Sequence, residues 1–320
     1  MNRAVLSLLI LAVMLCLSAP ASAQSCSATA SAVNFGSVSP IALSAVTATG
    51  TVNVTCTWPV VSVTPNALVC LNLGATSPRS LTNGANAMQY DLYQDAAHSL
   101  AWGSISNGST PISLTLSKPT LGTTAAQTVT VYGRIAANQP TVPTTGDSDT
   151  VYTESFSGTL TSLNDGFYLL TAPTCASLTT SNGTFPFTAS ATVVNNCNIS
   201  TTNVSFAAAG VLSSAFNALG SISAQCTNGD AWSIALNGGS SGNVVSRSMQ
   251  RTGGGGTVSY QLYTDSAHTS AWGDGTAGTT TVTGIGTGNT QVVTVYGVVP
   301  SQTTPAPGNY LDSITATISF

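Results

Sequence analysis

The sequence predicts an all-β protein of two tandem immunoglobulin-like antiparallel β-sandwich domains. Three observations support this prediction: the composition, a series of short alternating segments, and a motif that occurs twice. Charged residues are 5% of the chain, against about 25% in an ordinary soluble domain. Each half contains about seven short segments of strand-forming residues separated by Gly, Asn and Pro, which is the pattern of a sandwich.

The repeated motif indicates a duplicated structural unit. Residues 90–103 (YDLYQDAAHSLAWG) return as residues 260–273 (YQLYTDSAHTSAWG). Residues 127–133 (QTVTVYG) return as residues 291–297 (QVVTVYG). Because self-similarity at a fixed spacing marks repeated units of one fold, we predict two domains of the same architecture.

The first 23 residues are predicted to be a signal peptide. Arg3 supplies the positive start, residues 4–17 form an apolar run, and Ala21-Ser22-Ala23 provides a small-x-small cleavage pattern. The run is shorter than the roughly 20 residues of a transmembrane helix. We therefore expect an exported chain whose mature form begins at Gln24.

The cysteines predict three disulfides. Six cysteines lie outside the predicted signal peptide, and an even number in an oxidising compartment is typical of a disulfide framework. Two pairs repeat at nearly the same spacing, 30 residues apart in one domain and 29 in the other, which leaves the remaining two for each other. The predicted bridges are Cys26–Cys56, Cys197–Cys226 and Cys70–Cys175.

The charge balance excludes one class of function. Without Arg3 the chain carries five basic and ten acidic residues, a formal charge of −5. Nucleic-acid binding needs a clustered basic surface, so we predict no nucleic-acid partner. A nearly uncharged surface suits assembly or contact with uncharged material.

A segment between the repeats has a strict period of two. Residues 184–196 connect a predicted first domain at 24–183 to a second at 197–320, and Thr and Ser fill most of their even positions. This alternation is typical of a strand with one buried face. The residues predicted to face inward are Phe185, Phe187, Ala189, Ala191 and Val193.

The last residues form a second informative strand. Residues 310–319 are predicted to be a strand, as are residues 203–207 near the start of the second domain. The inward positions of the final strand are Ile314, Ala316, Ile318 and Phe320. Since the chain stops on an inward residue, we expect an unpaired edge and an open core groove in the second domain.

Several motifs together carry a family resemblance. They are Ser77–Gly84, Tyr90–Asp95, Ala101–Gly103, Gln127–Ala136, Gly166–Leu170 and Phe185–Cys197. In combination, over nearly the whole mature chain, they resemble the spore coat protein U domain family. More closely, they are similar to the two-domain tip subunits of archaic, Csu-type chaperone–usher pili.

The resemblance implies a mode of assembly. Pilin-type domains of that kind are immunoglobulin-like sandwiches that lack a final strand, and the second domain here is expected to lack it. A periplasmic chaperone, and then the N-terminal extension of an adjacent pilin, fills the gap by strand addition. The implied partners are that chaperone, an outer-membrane usher and the adjacent pilin, with Ile314, Ala316, Ile318 and Phe320 as contacts. The implied route is export through the periplasm to the pilus tip at the cell surface.

The position of the alternating segment predicts the place of the subunit in the fibre. A donating pilin needs an alternating extension before its first cysteine, as residues 184–195 stand before Cys197. Only Gln24 and Ser25 precede Cys26 in the predicted mature chain. We therefore expect residues 184–195 to complete the first domain within the chain, while the second domain accepts a strand and the subunit ends the fibre.

The first domain is predicted to carry the binding surface. Trp102 to Tyr132 spans 30 residues against 24 in the second domain, and Tyr132 to Tyr152 spans 20 against 14. Insertions on a shared scaffold are where function is usually added. Apolar residues in or near its turns are predicted to contact an abiotic or host surface and to support biofilm formation. They are Trp58, Pro59, Val60, Val61, Leu121, Phe167, Tyr168, Leu169 and Leu170; the alternative is that Trp58 and residues 167–170 are core or strand residues.

Other functions are weighed against this hypothesis. An Asp and a His three residues apart, at Asp95/His98 and again at Asp265/His268, could suggest a metal or catalytic site. Their presence in both domains favours a fold signature, so we predict no enzyme activity, no cofactor and no metal. The competing hypotheses are a structural spore-coat or pilus-shaft protein and a lectin-like adhesin that binds glycans.

Overall fold

A computed structural model describes residues 24–320 of the chain; the predicted signal peptide lies outside them. Over the described range, no helix has the length and apolar character needed to cross a membrane. The only helical segments there are single 3₁₀ turns, at Pro40–Ala42, Ile105–Asn107, Gly158–Leu160, Cys175–Ser177 and Gly239–Ser241. The prediction of an all-β protein with two tandem sandwiches is confirmed.

The first domain packs two sheets face to face. Its strands are β1 (Ser25–Ala30), β2 (Val33–Val38), β3 (Val46–Thr57), β4 (Asn66–Leu73), β5 (Arg79–Asn83), β6 (Asn86–Tyr93), β7 (Ile112–Ser117), β8 (Thr124–Ile135), β9 (Thr150–Phe156), β10 (Thr161–Tyr168), β11 (Gly183–Thr184) and β12 (Phe187–Val193). Within this domain one sheet has the order β1-β3-β8-β6-β5-β9-β12-β2 and the other has the order β11-β10-β4-β7.

The period of two explains how the sheets form a core. In β3, Val52, Val54 and Cys56 are buried, while Thr51 before them and Asn53 among them are exposed. Inward residues of the opposite sheet, such as those of β4, are also buried, so the apolar faces meet. Removing this apolar area from water is the main favourable contribution to the fold.

The second domain repeats most of this plan. Its strands are β13 (Cys197–Thr201), β14 (Phe216–Cys226), β15 (Ala231–Leu236), β16 (Arg247–Arg251), β17 (Thr257–Tyr263), β18 (Val282–Ile285), β19 (Gln291–Val299), β20 (Tyr310–Leu311) and β21 (Ala316–Ser319). Its sheets have the orders β13-β14-β19-β17-β16-β20 and β18-β15-β21. The first order matches β1-β3-β8-β6-β5-β9 and stops where β12 and β2 continue the sheet of the first domain.

Two predicted strands of the second domain are wrong in detail. Residues 203–207 form no strand, since β2, their counterpart, is held in its sheet by β12 alone. The segment 310–319 is not one strand but two, because the chain leaves one sheet after Leu311 and joins the other at Ala316. The amide of Thr315 marks this crossing by donating to Asn237 Oδ1 at 2.9 Å.

Three disulfides brace the described domains. Cys26–Cys56 joins β1 to β3, and Cys197–Cys226 joins the equivalent strands β13 and β14. Cys70–Cys175 ties β4 to the 3₁₀ turn that follows β10. The third bridge therefore holds the loop after β10 against the second sheet of the first domain.

The two domains meet through a polar junction. The amide of Thr144 donates to the carbonyl oxygen of Asn228 at 2.9 Å, and the side chain of Asn228 donates to the carbonyl of Thr141 at 2.8 Å. Both first-domain residues lie in the loop that is longer than its second-domain counterpart. The expectation that both insertions carry the binding surface is therefore wrong for the one between Tyr132 and Tyr152, which makes the junction.

Candidate functional site

Strand β12 fills a gap in the first domain. It pairs antiparallel with β9 over seven residue pairs, from Phe187 opposite Phe156 to Val193 opposite Thr150. On its other side it pairs in parallel with β2. All the residues predicted to face inward are buried: Phe185, Phe187, Ala189, Ala191 and Val193. The segment that precedes the second repeat is thus an integral strand of the first sandwich.

The aromatic residues at the start of this segment pack on the core. Phe185 and Phe187 each stack on Trp102 with ring centroids 5.8 Å apart. Phe187 also stacks on Phe156 at 4.7 Å. Trp102 is held by its indole N–H, which donates to the carbonyl of Leu71 at 2.9 Å.

The second domain keeps the walls of this site without the strand. Phe206 packs edge-on against Tyr260 at 6.3 Å, as Phe35 of β2 packs against Tyr90 at 5.8 Å. Val204 and Phe206 pack where a side chain at Gly297 would stand, as Val33 and Phe35 pack where one at Gly133 would stand. Residues 204–206 therefore lie where β2 lies in the first domain.

Between these walls lies an open groove of about 290 Å³. Within residues 24–320 no strand separates the 204–206 segment from β20. Most of its lining side chains are apolar, and Tyr260, Tyr310, Asp312 and a few short polar residues also line it. The apolar ones are Val204, Phe206, Ile222, Leu236, Met249, Leu262, Val295, Leu311, Ile314 and Ala316. The prediction that the second domain lacks its final strand is confirmed.

Equivalent residues of the two domains differ in solvent exposure around the groove. Val33 and Phe156 in the first domain are fully buried, whereas their counterparts Val204 and Ile314 are only half-buried. Tyr152 is buried and its counterpart Tyr310 is half-buried. The apolar groove is thus the surface that β12 covers in the first domain.

Glu154 in the first domain and Asp312 in the second occupy equivalent positions, and their pKa values are shifted in opposite directions. Tyr90 donates its hydroxyl to Glu154 at 2.6 Å, and Tyr260 donates to Asp312 at 2.7 Å. Desolvation raises the pKa of Glu154. Desolvation also tends to raise the pKa of Asp312. Hydrogen bonds from Ser240 and from the Tyr260 hydroxyl favour its charged form and help hold that pKa below the ordinary value.

Of the four terminal residues predicted to contact a chaperone or an adjacent subunit, two line the groove and two do not. Ile314 and Ala316 line the groove. Ile318 lies in β21, opposite Ile234 of β15, and packs on the core. Phe320 is half exposed, so the expectation that it faces inward is wrong, because β21 ends at Ser319.

A second candidate surface lies at the far end of the first domain. Loops 58–65, 118–123 and 169–174 all leave the sandwich at the end where Thr57 pairs with Thr124 and Asn66 pairs with Tyr168. The opposite ends of β8 and β12 lead into the interdomain junction. We call this loop cluster the distal end, since the full length of the sandwich separates it from the second domain.

The distal end is rich in exposed apolar side chains. Val60 is 81% exposed, Val61 85% and Leu121 91%, and Leu169 is more than half exposed. Leu170, the last residue of the predicted 167–170 run, is 89% exposed, and the prediction from sequence missed Val63, which is 78% exposed. Val63 lies in the same loop as Val60 and Val61, so its loop position was the available signal.

Trp58 does not belong to this surface. It is 1% exposed and packs edge-on against Phe167 at 5.7 Å. Its amide donates to the carbonyl of Thr123 at 2.7 Å, which extends the β3 ladder by one residue and turns the indole between the sheets. The prediction that Trp58 binds a surface is therefore wrong. Pro59, Phe167 and Tyr168 are half-buried beside it.

The Asp-and-His motif is structural in both domains. Asp95 accepts hydrogen bonds from the amides of Ser99 and Leu100, which closes a turn. His98 packs edge-on against Tyr93 at 5.2 Å, and His268 packs against Tyr263 at 5.3 Å. In the described part of the chain no three His, Cys, Asp or Glu side chains converge as metal ligands would.

Comparison with protein families agrees with the internal repeat. The Spore Coat Protein U domain model matches residues 12–154 and again residues 183–317. The chain belongs to the Spore Coat Protein U domain family. The second family unit begins at residue 183, so in sequence it includes the strand that the structure places in the first domain.

Two solved structures match this Spore Coat Protein U domain protein at low sequence identity, and the first of them shares its architecture. One is the CsuC–CsuE chaperone–tip adhesion subunit pre-assembly complex of the archaic chaperone–usher Csu pili of Acinetobacter baumannii. That match has a TM-score of 0.51 and 17% identity over 92% of this chain and 100% of that one. A chaperone–tip adhesin complex of CFA/I fimbriae matches with a TM-score of 0.29 and 9% identity over 90% and 96%. No curated protein matches significantly.

Proposed function

We propose that this protein is the tip adhesin of a chaperone–usher pilus. The observation that carries the proposal is the contrast between the two domains. The site that β12 fills in the first domain is an open groove in the second. A subunit of this kind accepts one strand and uses its own alternating segment internally, which suits the end of a fibre.

The groove would anchor the subunit. An adjacent pilin would add its N-terminal strand between residues 204–206 and β20, because an unpaired sheet edge beside an apolar groove favours strand addition. Before assembly a periplasmic chaperone would cover the same surface, and an outer-membrane usher would pass the subunit outward. This route takes the exported protein through the periplasm to the pilus tip.

The distal end would make the attachment. Val60 and Val61 project from one loop and Leu121 from another at the same end, and burying apolar area against a surface contributes about 25 cal/mol per Å². The described residues carry one lysine among few charges, so contact with an uncharged abiotic surface meets little desolvation cost. Many pili in parallel multiply weak contacts and so favour biofilm formation.

The test replaces the apolar tips of the loops. We expect the triple variant Val60→Ser, Val61→Ser, Leu121→Ser to lower attachment of piliated cells to polystyrene at least tenfold while pilus number is unchanged. The matched control is Val211→Ser, Leu219→Ser, Val292→Ser, which changes three apolar residues of the second domain that are each more than 60% exposed. Equal attachment by the two triple variants would remove the distal end from the mechanism.

Two further measurements separate the competing functions. Immunogold particles at fibre ends support the tip position, whereas labelling along the fibre supports a shaft or coat role. Inhibition of attachment by free sugars, without any effect of the apolar triple variant, supports a lectin-like adhesin.

A further inference from the structure

We propose that the strand entering the second domain docks on both of its sheets, with a crossing between them. Its first part would pair with the edge of β21, and its second part would fill the groove with inward side chains in the order large, small, small, medium. This inference rests on the proposed role of the groove as a strand acceptor. It specifies the length and the side-chain sizes of the segment that would bind in the groove.

The first domain shows such a two-part segment in place. The amide of Asn182 donates to the carbonyl of Leu163 at 2.8 Å, and the amide of Phe185 donates to that of Thr161 at 3.3 Å. These bonds extend the sheet containing β10 through β11. The chain then crosses at Pro186 and becomes β12 of the opposite sheet. One continuous segment thus closes the edges of both sheets.

The same edge is uncovered in the second domain. The amide of Leu73 donates to the carbonyl of Gly103, and the amide of Leu236 donates to the carbonyl of Gly273, each at 2.9 Å. Leu73 and Leu236 are therefore equivalent positions. Thr161 pairs with Leu73, and Ala316 pairs with Leu236. Ala316 and Ile318 therefore correspond to Thr161 and Leu163.

The carbonyls of Ala316 and Ile318 are the acceptors that an incoming segment would use. Within residues 24–320, β21 pairs with β15 alone, so its other edge carries no strand. A bare edge of this kind is a template for strand addition. Its alignment with the end of the groove allows one extension to reach both.

The register of β12 gives the side-chain sizes. Phe187 lies opposite Phe156, and Ala189 lies opposite Glu154. In the second domain Ile314 and Asp312 take the places of Phe156 and Glu154. The smaller Ile314 leaves room for a large incoming side chain.

The polar pair at the centre of the groove requires small residues. Tyr260 and Asp312 both line the groove and are bonded to each other. Glu154, the first-domain counterpart of Asp312, lies opposite Ala189 and accepts from the Tyr90 hydroxyl, and the next inward residue, Ala191, lies opposite Tyr152. Since Tyr310 replaces Tyr152, the two central positions of an incoming strand face a phenol–carboxylate pair and a second phenol. The last position corresponds to Val193.

The experiment adds a copied segment to the full mature chain. A short Gly/Ser linker after Phe320 joins a second copy of residues 182–194, and a matched protein carries a copy of residues 187–194 only. Hydrogen exchange is measured at the copied amides. We expect the copied amides equivalent to Asn182 and Phe185 to exchange at least tenfold more slowly than the linker. We also expect the longer fusion to unfold its second domain at a higher temperature than the shorter one.

A third fusion tests the size order by placing A189L and A191L in the copied segment. We expect its groove-facing amides to lose at least tenfold of their protection. Protection of the copied 187–193 amides without protection of the Asn182 and Phe185 equivalents would overturn docking on two sheets and leave the groove as an acceptor. Full protection in the leucine variant would overturn the size order. Exchange at linker rates throughout all copies would overturn the acceptor role of the groove itself.

Discussion

Asp147 of the first domain accepts a hydrogen bond from the backbone amide of Ala231 in the second domain, with Oδ1 2.8 Å from the nitrogen. Asp149, two residues along the same loop, accepts from the amide of Asn195 at 3.2 Å. These bonds explain why two carboxylates cluster in a chain with few charges. They hold the loop that is longer in the first domain against the first residue of β15 and against the connection that precedes β13.

The backbones of the two domains approach closely at this junction, so adding one methyl group there should disturb it. Gly288 lies so near the first domain that a Cβ atom would come within 1.8 Å of the Pro140 carbonyl oxygen. We expect Gly288→Ala to release the fixed orientation of the domains, because the clash is with backbone. Residual dipolar couplings should then fit two independent alignment tensors, where the native protein fits one.

The matched control for this variant is Gly278→Ala. Both glycines have positive φ, +77° and +81°, so each substitution costs about 1–2 kcal/mol of backbone strain. A Cβ atom on Gly278 has no other heavy atom within 4 Å. A single shared tensor in both variants would show that the junction does not depend on this contact.

The burial of Trp58 predicts a stability effect in place of a binding effect. Trp58→Ala should destabilise the first domain by about 3–5 kcal/mol, because it removes a fully buried aromatic side chain. Val61→Ala, three residues on and largely exposed, should change stability by less than about 0.5 kcal/mol. Chemical denaturation of both variants checks this, and similar small effects would contradict the core position of the indole.

The sequence predicted best those features that repeat or alternate. The repeated motif predicted the two domains, and the spacing of Cys26 and Cys56, matched by Cys197 and Cys226, predicted one bridge in each. The inward set of the 184–196 segment followed from its period of two. What alternation does not encode is the partner strand, so neither the insertion of β12 beside β9 nor its parallel pairing with β2 could be derived.

The errors have related physical causes. Residues 203–207 carry a strand pattern, yet a strand also needs a neighbour to accept its backbone hydrogen bonds, and the described chain supplies none there. Trp58 follows a predicted strand end, and one further ladder bond was enough to turn it inward. A difference in loop length does not reveal which end of a sandwich the loop occupies, so the 132–152 insertion could not be assigned to the junction.

The two equivalent carboxylates predict opposite pH dependences. Burial raises the pKa of Glu154 in the folded state, so folding favours its protonated form. Its contribution is fully present below the unfolded value of about 4.3 and is lost as pH rises through the higher folded value. Relative to Glu154→Gln, the native first domain should therefore become less stable between pH 4 and neutral pH.

Asp312 provides the contrast. Its pKa is held below the ordinary value, so its contribution is present above the unfolded value of about 3.9 and is lost as pH falls through the lower folded value. Calorimetry of Glu154→Gln and Asp312→Asn across this range should give slopes of opposite sign relative to the native protein. Slopes of the same sign would contradict the opposite directions of the two pKa shifts.

The third disulfide predicts a local effect at the distal end. Cys70 and Cys175 enclose a sequence separation of 105 residues and restrain the segment that follows Leu170. The double variant Cys70→Ser, Cys175→Ser should destabilise the first domain by about 2–5 kcal/mol. Hydrogen exchange in residues 169–178 should also increase. The control, Cys197→Ser with Cys226→Ser, should affect the second domain alone, and unchanged exchange in 169–178 would contradict the tethering role.

The placement of β12 determines how the protein would respond to a pulling force. The strand runs lengthwise between β9 and β2 and continues through residues 194–196 directly into β13. A pull on the second domain away from the distal end loads β12 along its axis. The seven residue pairs with β9 and the parallel bonds to β2 then resist together in shear, instead of opening one at a time from an end. Mechanical resistance is governed by the rate of this forced opening, so the covalent joint between the domains is also the element that spreads load into both neighbouring strands.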